Sequence, residues 1–160
     1  MDTITRIEGR QAFHAAVREA LAEAATAGWR EIWLCDPDFA NWPLGERSVI
    51  ENLTRWANSR RRLTVLALQY DEVLRRHPRW VHWRQQWAHV VHCRSLQELQ
   101  ANDVPVMLHA AGGVTLRMFD PLRYLGTFSR DAADGVRARE EIDVISQRSI
   151  EAFPATTVGL

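Results

Sequence analysis

The chain has 160 residues, 46% of them hydrophobic and 25% charged, and its 20 basic and 20 acidic side chains give a formal net charge of +0. These values fit one soluble globular domain with a core of its own, and they supply no overall field to attract nucleic acid or anionic lipid. Every basic residue is arginine, so Schiff-base chemistry, a lysine general base and a phosphate-loop lysine are all excluded.

The N-terminal "MDTITRIEGR" lacks the apolar stretch of a signal peptide. "GRQAFHAAVREALAEAATAGW" has helical spacing, with Phe13, Val17, Leu21 and Ala24 on one face and Gly28 as its stop. "REIWLCDPDF" reads as a strand ended by Pro37, and a second helix is expected to begin near Glu46, with Val49, Ile50, Leu53, Trp56 and Ala57 as its stripe. "RLTVLALQ" is apolar almost throughout, which suits a strand covered on both faces. One or two helices follow, with Pro78 at a first-turn position, then strands at "VVHCR", "VPVMLHA", "VTLRMFD" and "RYLGTFS". Gly112-Gly113 marks a turn between two of these. "RDAADGVRARE" reads as a polar loop, "EIDVIS" as a strand by its alternation, and "QRSIEAFPATTVGL" as the closing segment.

Cys35 and Cys93 lie far apart in apolar runs and are expected to be buried small hydrophobes. No stretch approaches the ~20 apolar residues needed to span a bilayer. A reduced, cytoplasmic protein without a membrane span is therefore expected.

The stretch from Gly112 to Phe153 resembles the phospholipase D superfamily, whose signature is His-x-Lys, four residues, Asp, then six residues and Gly-Ser-x-Asn. Asp120 matches the aspartate. Gly126-Thr127-Phe128-Ser129 is similar to the later turn, although five residues rather than six separate it from Asp120. Glu140 or Glu141 matches the downstream glutamate, and Phe153 the aromatic after it. Counting back from Asp120, however, the lysine falls on Thr115 and the nucleophilic histidine on Gly113. A shift by one gives Gly112 and Val114, and the nearest histidine, His109, is on the preceding strand. Glycine has no side chain to attack phosphorus, and threonine cannot neutralise phosphate oxygens.

The resemblance implies a three-layer α/β domain spanning residues 1–160, a mixed sheet with helices on both faces, built like one half of a phospholipase D-type protein. It implies a non-catalytic binding or scaffolding role, with His109, Thr115, Arg117, Asp120, Thr127, Ser129, Glu140 and Glu141 as a remnant pocket. Arg117, or another arginine close by, is expected to pair with Glu140 or Glu141, because a buried carboxylate without its histidine needs a new partner. A homodimer and a phosphate-containing ligand are the partners it suggests, with no cofactor and no metal. Nucleic acid is expected to be an unlikely partner on charge grounds.

"IWLCDPDFANW" offers an alternative. Asp36 and Asp38 at a strand end are similar to the first motif of haloacid-dehalogenase-type phosphotransferases, which would imply a magnesium-dependent phosphatase. The plainer expectation is a strand end capped by an aspartate turn. Trp80, Trp83 and Trp87 share a helical face and are expected to be core rather than a stacking platform. His82, His89, His92 and Cys93 lack the i, i+4 spacing of helical metal ligands. "SRRRL" is expected to complement a helix C-terminus.

Overall fold

The computed structural model describes residues 3–154. In chain order these form β1 (Ile4–Glu8), α1 (Arg10–Ala27), β2 (Glu31–Cys35), α2 (Arg47–Trp56), β3 (Arg62–Ala67), α3 (Asp71–Arg76), α4 (Pro78–Gln86), β4 (Val91–Ser95), β5 (Val106–His109), β6 (Thr115–Asp120), β7 (Leu125–Ser129), α5 (Ala132–Ser146) and β8 (Ile150–Glu151). The strands make one sheet in the order β1-β7-β6-β5-β2-β3-β4-β8. Neighbours β2, β3 and β4 run parallel, and every other pair is antiparallel. The molecule is a mixed α/β sandwich of three layers, as the pattern of the sequence predicts.

The parallel centre explains the apolar runs. β3 sits between β2 and β4 with helices over both faces, so Leu63, Val65 and Ala67 enter one core while Leu66 enters the other. The larger core lies under α1, α2, α3 and α4. Helix α1 buries Phe13, Ala16, Val17, Ala20, Leu21 and Ala24, at three- and four-residue spacing, and ends at Gly28 with φ 70°. Helix α4 buries Trp80 and Trp83 almost completely in the same core, and Trp87 packs at its margin. Arg61 donates to the carbonyl of Trp56, the last residue of α2, as a cation at a helix C-terminus should.

The second face carries one helix. Ala138, Ile142 and Ile145 of α5 pack on Trp33, Cys35, Leu66 and Met107. The strand expected at "EIDVIS" and the loop expected before it are together this single helix. Ile142 and Ile145 are three apart and buried, while Val144, which completed the apparent alternation, is 62% exposed. With only three buried positions on a polar helix, the period of 3.6 is faint and the short alternation misleads. Strand β1 pairs with β7 at one edge, and β8 pairs with β4 at the other. Both were without a sequence signal, because edge strands bury few side chains. Part of the closing segment, residues 155–160, lies outside the described residues. No helix among the described residues is long and apolar enough to cross a membrane.

Candidate functional site

Register builds the site. Trp33 of β2 lies opposite His109 of β5, His109 opposite Thr115 of β6, and Thr115 opposite Ser129 of β7. Residues in such a row point to the same face, so His109, Thr115 and Ser129 stand side by side beneath α5. All three are buried. His109 Nδ1 and Thr115 Oγ1 are 2.9 Å apart. The hydroxyl of Ser129 donates to Asp134 Oδ2 at 2.6 Å and accepts the amide of Asp131 at 3.1 Å. Ser129 therefore ties the start of α5 to the sheet, and its hydrogen bond is the main reason that the Asp134 carboxyl is held below the usual carboxylate range.

Two residues further along β6, Arg117 faces the same side and forms two parallel hydrogen bonds to Glu141, Nη1 to Oε2 at 2.6 Å and Nη2 to Oε1 at 3.1 Å. This is the fork geometry of a guanidinium on a carboxylate. Glu140, the neighbour on α5, is exposed. Two cavities flank the row and share Thr115 and Ser129. One, of about 510 Å³, is reached by His109, Gly112, Gly113, Asp131 and Arg139. The other, of about 480 Å³, is reached by Arg117, Thr127, Asp134, Arg137 and Glu141.

The structure thus gathers His109, Thr115, Arg117, Thr127, Ser129 and Glu141 of the expected pocket. It does not gather Asp120 or Glu140, neither of which lines these cavities. Asp120 instead shapes the β6–β7 turn by accepting the amide of Arg123. Glu141 lies in mid-helix, not at the start of a strand, so it does not hold the superfamily glutamate's place in the chain path. Asp131, Asp134, Arg137 and Arg139 were missed. Reading 131–146 as one helix would have placed them, because Asp134, Ala138 and Glu141 follow each other at four and three residues.

The chemistry of this row is weak. A Cβ at Gly113, where the expected alignment would put the histidine, would stand 2.5 Å from Cε2 of the Trp29 indole. Trp29 is itself buried, so no side chain fits at 113 without displacing it. Gly126 is fixed in a similar way, with the carbonyl oxygen of Arg117 2.1 Å from its would-be Cβ. His109 is held neutral: burial, and then the charge of Arg139, lowers its pKa to about 4. Its Nε2 is buried with no hydrogen-bond partner among the described residues. The arginines nearest the row are occupied, Arg117 by Glu141, Arg130 by Glu23 and Arg139 by Asp143.

The alternative site is equally committed. Asp36 is buried, and its carboxylate accepts the amides of Asp38 and Phe39 and the indole N–H of Trp42. Asp38 accepts the amide of Ala40. Both carboxylates cap the turn after β2, and among the described residues no group of three or more His, Cys, Asp or Glu could hold a metal ion. Cys35 and Cys93 are buried thiols, and burial pushes Cys93 up to about 11. Another concavity, of about 1030 Å³, lies on the other side of the molecule among α1, α2 and α4, lined by Arg10, His14, Arg79 and His82 among others.

No protein-family model matches the chain, and no curated protein matches it in sequence. Solved structures do match. TrmBL2, an archaeal chromatin protein described as showing a novel mode of DNA binding, superposes with a TM-score of 0.67 at 14% identity over 94% of this chain. The chain spans only 54% of that protein. NucT from Helicobacter pylori superposes with a TM-score of 0.60 at 6% identity, covering 93% of this chain and 98% of NucT. At these identities the likeness is one of fold.

The first likeness corrects the expectations about partners. A net charge of +0 was read as making nucleic acid unlikely, yet a chromatin protein described as binding DNA shares this fold. Net charge is a sum over the molecule, whereas a nucleic acid meets one face. The expected homodimer is left without support.

Proposed function

We propose that the chain is a single non-catalytic domain of phospholipase D-like fold that acts as a binding module, with nucleic acid as its ligand class. The carrying observation is Gly113 packed against Trp29, which leaves no room for a nucleophile where the superfamily has its histidine. Thr115 in place of the lysine, and a neutral, buried His109 one strand away, support the same reading. The resemblance read from Asp120 and the Gly126–Ser129 turn supports the phospholipase D-like part of this reading, and the fold shared with NucT over 93% of the chain supports a single domain. The fold shared with TrmBL2 supports a nucleic-acid ligand. Retention of the fold with loss of its chemistry is what a binding role requires.

Fluorescence anisotropy with a labelled duplex, across a salt series, tests the binding. Binding that weakens linearly in log–log form as salt rises is expected, because phosphate contacts release counterions. Replacing Arg10 and Arg79 together by Gln, in the groove among α1, α2 and α4, is expected to shallow the slope by about two. An aryl phosphodiester assay on the same preparation is expected to show no turnover. Turnover abolished by His109→Ala would overturn the non-catalytic reading, and absence of binding at low salt would overturn the ligand class.

A further inference from the structure

Among the described residues, strand β4 is paired along only part of its outer edge. The ladder to β8 pairs Arg94 with Glu151 and Ser95 with Ile150, and the amide of Ala152 reaches the carbonyl of Cys93 at 3.0 Å. Beside Val91 and His92 a cleft of about 420 Å³ opens instead, between the end of α4 and the segment after β8. Its charged lining is one-sided: Arg62, Arg84 and Arg94, with His92 beside them, face a single carboxylate, Glu151.

Arg84 is the informative residue. It is only 6% exposed, it donates Nη1 to the carbonyl of Val91 at 3.0 Å, and its Nε is buried with no partner among the described residues. Arg94 is turned to Ser149, donating Nε to the hydroxyl at 2.6 Å and Nη2 to the carbonyl at 2.8 Å. Arg62 reaches only the hydroxyl of Thr64, at 3.5 Å. None of the three is in a salt bridge with a described carboxylate, whereas Arg117, Arg130 and Arg139 elsewhere each hold one. A guanidinium cannot shed its charge when buried, and a buried charge without a counter-ion is costly. The histidine beside it feels the same field: burial first, then Arg62 and Arg84, lower the pKa of His92 against the opposing pull of Glu151.

We propose that this cleft binds a small oxyanion, with Arg84 as its buried partner and Arg62 and Arg94 completing the charge. Guanidinium forks match the paired oxygens of a carboxylate or a phosphate group. The volume exceeds that of a bare ion and falls among small-molecule sites, so the oxyanion is carried on a small organic body. The site lies at the opposite end of the sheet from the Thr115 row and does not depend on DNA binding.

Thermal shift and calorimetry with phenyl phosphate and with benzoate, each against sodium chloride at matched ionic strength, decide it. At least one probe is expected to raise Tm beyond chloride, because a ligand bound only by the folded state stabilises it. Response to phenyl phosphate alone assigns a phosphate group, and response to benzoate alone assigns a carboxylate. Arg84→Gln and Arg62→Gln are each expected to weaken binding of that probe by about tenfold, as for loss of a charged hydrogen bond, while Arg55→Gln on the exposed face of α2 leaves it unchanged. Should Arg84→Gln fail to fold, the exposed Arg62 and the half-buried Arg94 provide the variants. No shift beyond chloride with either probe, or affinities unchanged in Arg62→Gln and Arg94→Gln, overturns the proposal.

Discussion

His109 is a base that its surroundings keep uncharged. Burial is the main cause and the charge of Arg139 the second, with Asp143 opposing them, and the folded-state pKa falls to about 4. Unfolding returns the ring to water and to a pKa of about 6.5. Between those values the unfolded chain binds more protons than the folded one. Stability is therefore full above about pH 6.5 and is lost as the pH falls toward 4. His77 and His92 are also lowered, with burial as the first cause, and act with the same sign. His109 alone should contribute a loss of ~2 kcal/mol between about pH 7.5 and pH 5. Urea midpoints of the wild type and His109→Asn at the two pH values check this, with a flatter dependence expected in the variant. An unchanged dependence would mean that the imidazole is not held neutral beneath α5.

At the scale of elements, legibility follows how many side chains an element buries. Helix α1 and strand β3 were plain because each buries five or more residues in a regular pattern. Helix α4 was legible through its tryptophans: Trp80 and Trp83, three apart, are both in the core. Trp83→Ala is accordingly expected to cost ~3–5 kcal/mol, the range of large aromatic truncations in packed cores, as read by denaturant unfolding. A loss below about 1 kcal/mol would mean that the indole is not a core element. Helix α5 was misread because its three buried residues are separated by charged ones and by exposed Val144, a mixture that alternation imitates. That error hid four residues of the candidate site, since Asp131, Asp134, Arg137 and Arg139 cannot be placed against the sheet from a loop. Arg117 was set against Glu140 or Glu141 without a choice between them, because only the helix decides: α5 turns Glu141 toward β6 and leaves Glu140 exposed. Gly113 was legible as a turn residue, but its contact with Trp29, more than eighty residues earlier, belongs to tertiary structure alone.

Over the whole molecule the two faces of the sheet are unequal, and their stabilities should be unequal too. Four helices bury one continuous apolar core on the first face. On the second, α5 contributes Ala138, Ile142 and Ile145 and is otherwise held by polar contacts. These are the Arg117–Glu141 pair, the hydrogen bond from Ser129 to Asp134, and Arg139 reaching Glu31 at 3.8 Å. Both partners of the first pair are about a third exposed, a setting in which an ion pair contributes ~0–1 kcal/mol and is weakened by salt. Detaching α5 exposes the smaller of the two cores and leaves the β2–β3–β4 ladder and the first core in place. Such a unit opens on its own below the global unfolding free energy. Native-state hydrogen exchange is therefore expected to show the amides of α5 opening at least ~2 kcal/mol more easily than those of β2 and β3. The gap should widen in Arg117→Gln, and in about 1 M salt, where the Debye length contracts to ~3 Å. Amides of α5 that exchange with the same free energy as the central strands, in both wild type and Arg117→Gln, would mean that the helix is part of one cooperative unit. The cavities beside Thr115 and Ser129 would then open only when the whole domain unfolds.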